Sequence, residues 1–206
     1  MTIVVAASDE QWNEVNRLGI NIDWQRVDDA KEFDQHANAD AFFSLQNNTV
    51  LPGFGSFKKP VFINSVVESL TELQAPENVL RINGWATFLS RPVWELAGHI
   101  DENILSIFNS LNIKINTVKD EPGFITARII AMIINEAYFA VEDNVSSKTE
   151  IDTAMKLGTN YPYGPFEWAE MIGTNNILSL LQKLNSTDAR YQPSELLIKE
   201  ASANNQ

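Results

Sequence analysis

The chain has 206 residues, enough for one or two domains. Its net charge of −12 is spread evenly: residues 1–119 hold nine Lys and Arg against fifteen Asp and Glu, and residues 120–206 hold six against twelve. With no basic half, nucleic acid and anionic lipid are poor partners, and with no cysteine there is no disulfide, thiolate metal site or thiol nucleophile.

The N-terminus, MTIVVAASDEQW, has no basic flank, and its short apolar run meets Asp9 and Glu10 at once, unlike a signal peptide. A cytoplasmic protein is the expectation. TIVVAA reads as a buried strand, β-branched and uncharged. SDEQWNEVNRLG follows as a helix, capped by Ser8 or Asp9 and ended by Gly19. INIDWQRV alternates and predicts a second strand, DDAKEFDQH a short helix, ADAFFSL and KPVFINS two more strands. ENVLRINGWATF and RPVWELAG add extended segments around Pro92. DENILSIFNSLN is a helix, and IKINTV a last strand. Strands alternating with short helices predict a mostly parallel sheet.

From residue 120 the strand signal stops. DEPGFITARIIAMIINEAYFAVED, residues 120–143, predicts one helix of about 20 residues, apolar on nearly every face and needing cover all round. Its uninterrupted apolar run, IIAMII, falls far short of the roughly 18 residues of a membrane span. SSKTEIDTAMKLGTN carries a capping box, Ser147 with Glu150, and Gly158 as its stop. GPFEWAEMIG places Pro165 at the first helical position and ends at Gly173. NNILSLLQKLN and PSELLIKEASA are two further helices. The organisation expected is an α/β domain over residues 1–119 and an all-helical domain over 120–206, with a short linker near Lys119–Gly123.

The second half resembles the C-terminal domain of the 3-hydroxyacyl-CoA dehydrogenase family. The residues that carry this are PGF followed by Arg128, the NEA at 135–137, the SSKTEIDTAMKLG helix and the YPYGPFE turn followed by IG, in family order and spacing. The resemblance implies a Rossmann-like N-terminal domain that binds NAD and holds the catalytic base. It also implies an all-α C-terminal domain that closes an acyl-CoA cleft and forms a homodimer. A long helix apolar all round agrees, since a second subunit can supply cover.

The first half departs from that family. A dinucleotide needs bare glycine backbone after the first strand, yet the strand here runs into AASDEQW. PGFGS at 52–56 holds the only close glycine pair and reads as an ordinary turn more readily than as a phosphate loop. Aligned backward from PGF, the family's catalytic His falls on Ala86, its Asn on Leu89, its Pro on Ser90 and the Glu that orients the His on Gly98. The Asn before Arg128 falls on Ala127. Only the substrate-contacting Ser is kept, as Ser65. Alcohol oxidation needs a base that titrates near neutral pH and a group to orient it, and neither alanine nor glycine serves.

Two histidines are present. His99 sits one place past the vacant acidic position, on the opposite strand face, and is a weak catalytic candidate with Ser65. His36 lies in a polar segment beside Asp34 and reads as solvated. No histidine pair has metal-ligand spacing. The reading is a degenerate family member that keeps the fold and an acyl-CoA-type cleft, with Ser65 and Arg128 as substrate-binding residues and no cofactor. The alternatives are an active NAD-dependent dehydrogenase with a rearranged site, and a helical dimerisation module without ligand.

Overall fold

A computed structural model describes residues 1–46 and 53–203. The chain divides into two compact units, Met1–Phe124 and Ile125–Gln206. The division falls a few residues past the boundary expected from sequence.

The first unit is built on a seven-stranded sheet in the order β2-β1-β3-β4-β5-β6-β7. Its strands are β1 Thr2–Ala6, β2 Asp23–Val27, β3 Ala41–Ser44, β4 Val61–Asn64, β5 Val79–Ile82, β6 Val93–Ala97 and β7 Lys114–Thr117. The first five run parallel. β6 runs antiparallel to β5, with Arg81 opposite Ala97, and β7 follows β6 in parallel. β1, β3, β4 and β5 are almost wholly buried, which explains their β-branched and aromatic runs. One sheet face packs Phe43, Phe62, Trp94 and Phe108 together, with the Phe43 and Phe62 rings 4.6 Å apart. The other face packs Phe33, Phe42, Phe54 and Phe57.

Helix α1, Asp9–Val15, starts on a capping box in which the Gln11 N–H donates to Ser8 Oγ and the Ser8 N–H donates back to Gln11 Oε1. It ends at Asn16, before the predicted Gly19. Gly19 lies in the turn beyond, with φ of 74° and with Ile22 and Ser110 O too close for a side chain. The short helix after β2 is a 3₁₀ turn, Ala30–Gln35, capped by Asp29. Helix α2, Glu102–Ser110, is capped by Asp101, which accepts from the Ile104 N–H.

The second unit is helical throughout its described residues: α3 Thr126–Glu142, α4 Lys148–Thr159, α5 Pro165–Ile172, α6 Thr174–Asn185 and α7 Glu195–Ala203. Two expectations are corrected here. The long helix starts at Thr126 and has 17 residues, because Pro122 and Gly123 hold the preceding segment in turns. Within a single chain its Ile129 stays 53% exposed. Helix α4 runs through Gly158 and stops at Asn160, whose short side chain tolerates the left-handed φ of 57°. No helix among the described residues is long and apolar enough to cross a membrane.

The motifs quoted from the second half turn out to be mutual caps. Ser147 and Glu150 close the start of α4. Asp152, one turn further along, accepts from the N–H groups of Phe166 and Glu167 and so caps α5. Gly164 is required there, since a Cβ would lie 2.3 Å from the Asp152 carboxyl. Glu167 accepts from the Gly164 N–H and pairs with Lys156. Asn135, 2% exposed on α3, donates to Gln192 O and accepts from the Ser194 N–H, and Glu142 accepts from Ser194 Oγ and the Leu196 N–H. These contacts hold the N-terminus of α7 against α3.

Candidate functional site: the carboxyl ends of the parallel strands

In a doubly wound sheet ligands bind beyond the carboxyl ends of the strands, where the connections diverge. Here that place lies between β1 and β3, which are neighbours although β2 falls between them in the chain. Side-chain amides tie the strand ends together there. Gln11 Nε2 donates to Leu45 O at 2.6 Å and to Gly84 O at 2.9 Å, joining the ends of β3 and β5. Asn64 Nδ2 donates to Leu45 O at 3.0 Å, and its Oδ1 accepts from the Gly84 N–H at 2.9 Å. Both amides are buried. Gly84 must be glycine, because a Cβ would fall 2.7 Å from Asn64 Cγ.

The segment after Gly84 is equally fixed. The Thr87 and Ser90 N–H groups donate to the Glu14 carboxylate of α1 at 2.7 and 2.9 Å. Leu89 is fully buried in the main core. Ala86, half-buried, carries no polar atom. At Gly98 the backbone has φ of 133°, and a Cβ would meet Leu80 at 3.1 Å, so an acidic side chain there would be strained as well as crowded. The backbone itself thus disfavours the orienting glutamate that the resemblance calls for.

The turn after β1 does not fit a dinucleotide. It has no glycine, its capping donors are used by Ser8 and Gln11, and Asp9 and Glu10 occupy the first turn of a seven-residue helix. Asp9 pairs with Arg26 at 2.7 Å, and Arg26 also donates to Ala7 O, closing the turn from the β2 side. Backbone and Ser8 hydrogen bonds hold the Glu10 carboxyl below its ordinary value. Of the alternative loop at 52–56, Pro52 lies outside the described residues. Phe54–Ser56 form one 3₁₀ turn in which Ser56 Oγ donates to Gly53 O.

Ser65 follows β4 and is 7% exposed; its Oγ donates to Glu68 O at 2.9 Å. That is the turn-satisfying role open to any strand-end hydroxyl. His99 is exposed and follows the reversed strand β6, which brings it near Pro60 and Asn78, at the amino ends of β4 and β5. The four residues of β4 therefore separate Ser65 from His99, roughly 13 Å of strand, and the fold does not bring the two together. His36 caps its 3₁₀ turn, with Nδ1 3.2 Å from Gln25 Oε1. Arg128 lies half-buried in the first turn of α3, preceded by Ala127 at 0% exposure. No group of three metal-ligating side chains occurs among the described residues.

Sequence reasoning missed a highly connected polar group among the described residues of the unit, Arg81. It is fully buried and donates to Ser65 O at 2.8 Å, to Asp120 Oδ1 at 2.6 Å and, at longer range, to Val66 O and Glu121 O, with the Phe124 ring 4.7 Å from its guanidinium carbon. Asp120 in turn accepts from the Leu70 and Thr71 N–H groups. A lone arginine inside an apolar strand, VLRI, was the available signal.

These features define a class: a Rossmann-like α/β unit, without the usual glycine turn, preceding an all-helical unit. Residues 123–205 match the 3-hydroxyacyl-CoA dehydrogenase C-terminal domain. The 3-hydroxyadipyl-CoA dehydrogenase of Escherichia coli K12 is 46% identical over 86 residues, covering 41% of this chain and 18% of that protein. A 3-hydroxybutyryl-CoA dehydrogenase of Clostridioides difficile is 32% identical over 151 residues, covering 68% of this chain and 53% of its own. The crystal structure of the (S)-3-hydroxybutyryl-CoA dehydrogenase of Ralstonia eutropha superposes with a TM-score of 0.69 at 24% identity, over 89% of this chain and 70% of that one. That superposition establishes the fold. The helical unit belongs to the 3-hydroxyacyl-CoA dehydrogenase family, and the chain spans about half the length, or less, of these curated relatives.

Proposed function

We propose that this 3-hydroxyacyl-CoA dehydrogenase-like protein does not carry out the redox step and serves instead as an acyl-CoA-type binding or scaffold protein, assembled as a homodimer through its helical unit. The observation that carries the reading is the turn after β1, which lacks the glycines a dinucleotide needs and places Asp9 and Glu10 in its first helical turn. Beside it the buried amides of Gln11 and Asn64 are spent on bridges between the strand ends. Ala86 and Gly98 supply neither a proton acceptor nor a group to orient one. The acyl-CoA part rests on the helical unit's family and on the relatives' named substrates. The homodimer is supported by large apolar side chains on the helical surface, Ile129 at 53%, Val145 at 72% and Leu157 at 83% exposure.

The test combines turnover with binding. NADH and acetoacetyl-CoA are mixed with the protein and absorbance of the reduced cofactor is followed; no decay above background is expected. Thermal unfolding is then measured with acetyl-CoA and, separately, NADH. A rise with the CoA ester alone supports the reading, because a ligand that binds only the folded state raises the melting temperature. Cofactor turnover would overturn it. Unchanged melting with both ligands would leave a helical dimerisation module.

A further inference from the structure

The opposite rim of the sheet is open. At the amino ends of β4 and β5 lies a cavity of about 480 Å³, within the range of small-molecule sites. Its floor is apolar, made by Leu80 and Ile104, which are 1% and 3% exposed. Its wall carries Lys58, Lys59 and His99. Two lysines and an imidazole lining one concavity stand out in a chain of net charge −12.

Their pairing leaves the charge available. Lys59 reaches Asp40 only at 3.9 Å, with both side chains 45% exposed, an ion pair of little weight in water. Lys58 and His99 make no hydrogen bond or ion pair with another side chain among the described residues. The two acids at the cavity differ in availability. Asp101 is engaged in capping α2, accepting from the Ile104 N–H at 2.9 Å. Glu77 is exposed at the rim.

The backbone that carries the lysines is also held in place. Asn78, at the entry to β5, has its Nδ2 at 3.0, 3.1 and 3.0 Å from the carbonyl oxygens of Phe54, Phe57 and Lys59. One half-buried amide thereby fixes the backbone that bears both lysines to the sheet beneath the cavity. Positioned donors bind with less ordering loss than free ones.

We propose that this cavity binds a small organic anion: one carboxylate or phosphate head set against Lys58, Lys59 and His99, on a compact apolar body lying over Leu80 and Ile104. Glu77 disfavours a second anionic group on the same ligand. The site is separate from the carboxyl rim and stands whether or not the redox step is absent.

The test uses phenyl phosphate as probe on the full chain, followed by amide resonances of Gly55, Asn78 and Asn103 and the imidazole resonances of His99. Saturable shifts are expected, with a Kd of about 1 mM. Benzyl alcohol, with the apolar body and no charge, is expected to leave them unmoved. Inorganic phosphate, with the charge and no body, is expected to bind at least about threefold more weakly. Lys58→Gln with Lys59→Gln, both at the surface and so compatible with folding, is expected to weaken phenyl phosphate at least about tenfold. No saturation by roughly 20 mM, equal binding by the double variant, or equal shifts with benzyl alcohol would overturn the site. Equal affinity for inorganic phosphate would overturn the apolar part of the assignment.

Discussion

Replacing Asp120 by Ala should destabilise the first unit through Arg81. The guanidinium is fully buried and would keep its carbonyl partners but lose the carboxylate paired with it at 2.6 Å. Breaking a buried ion pair from one side costs about 3–5 kcal/mol. The Asp120 side chain is 25% exposed, so water reaches the vacated place and the lower end applies, about 3 kcal/mol. For a unit of this size that lowers Tm by roughly 10 °C. Tryptophan fluorescence during heating reports it selectively, since Trp12, Trp24, Trp85 and Trp94 lie in the first unit and Trp168 in the second. The pH dependence is a second readout. Burial alone would raise the Asp120 carboxyl, but hydrogen bonds from the Leu70 N–H, Arg81 and the Thr71 N–H outweigh it and hold the group below its ordinary 3.8. The anion therefore favours folding. Its contribution is complete above about pH 4 and fades as pH falls through the folded-state value. The variant should lose that part of the acid sensitivity. A fall in Tm of less than about 2 °C, with unchanged acid dependence, would refute the argument that Arg81 needs this partner.

Other changes test the remaining contacts. Gly84→Ala should cost about 1–3 kcal/mol in chemical denaturation, because its methyl meets Asn64, and adding Asn64→Ala should relieve part of that loss. Asp152→Ala removes the cap of α5 and should cost about 1–2 kcal/mol, read from helical circular dichroism on heating. The Tyr138 hydroxyl, buried and donating to Glu200 at 2.8 Å, is pushed above its ordinary 10.0, so its protonated form favours folding. That contribution is present below pH about 10 and lost above it; Tyr138→Phe should flatten the alkaline decline in stability. Restoring Ala86→His with Gly98→Glu should yield no NADH oxidation with acetoacetyl-CoA and should lower Tm, because position 98 holds a backbone conformation unsuited to a side chain.

The strand order of residue types made most of the elements legible. TIVVAA, ADAFFSL and KPVFINS are buried on both faces, and a continuous apolar run is what such strands require. Caps written in short-range spacing, Ser8 with Gln11 and Ser147 with Glu150, appear where their sequence places them or within a residue of it. Stops were less legible. Gly158 has the flexibility to end a helix, but Asn160 does so, because nothing at 158 forces the chain out of the helical region. The antiparallel entry of β6 was invisible, since the alternation of a strand does not encode its direction. Long-range polar contacts were also hidden. Gln11 with Gly84, and Arg81 with Asp120, join residues 73 and 39 positions apart, and no local pattern marks either pair. The family motifs of the second half were legible as a resemblance but not as mechanics: Asp152, Gly164 and Glu167 read as signature residues and act as reciprocal helix caps.

The reversal at β6 has a consequence for how this protein can change. Since β6 runs against β5, the loop bearing His99 emerges at the rim away from the one that Gln11 and Asn64 bridge. A layer of fully buried strand residues separates the two rims and insulates each from substitutions at the other. Such a sheet can carry two sites that vary independently.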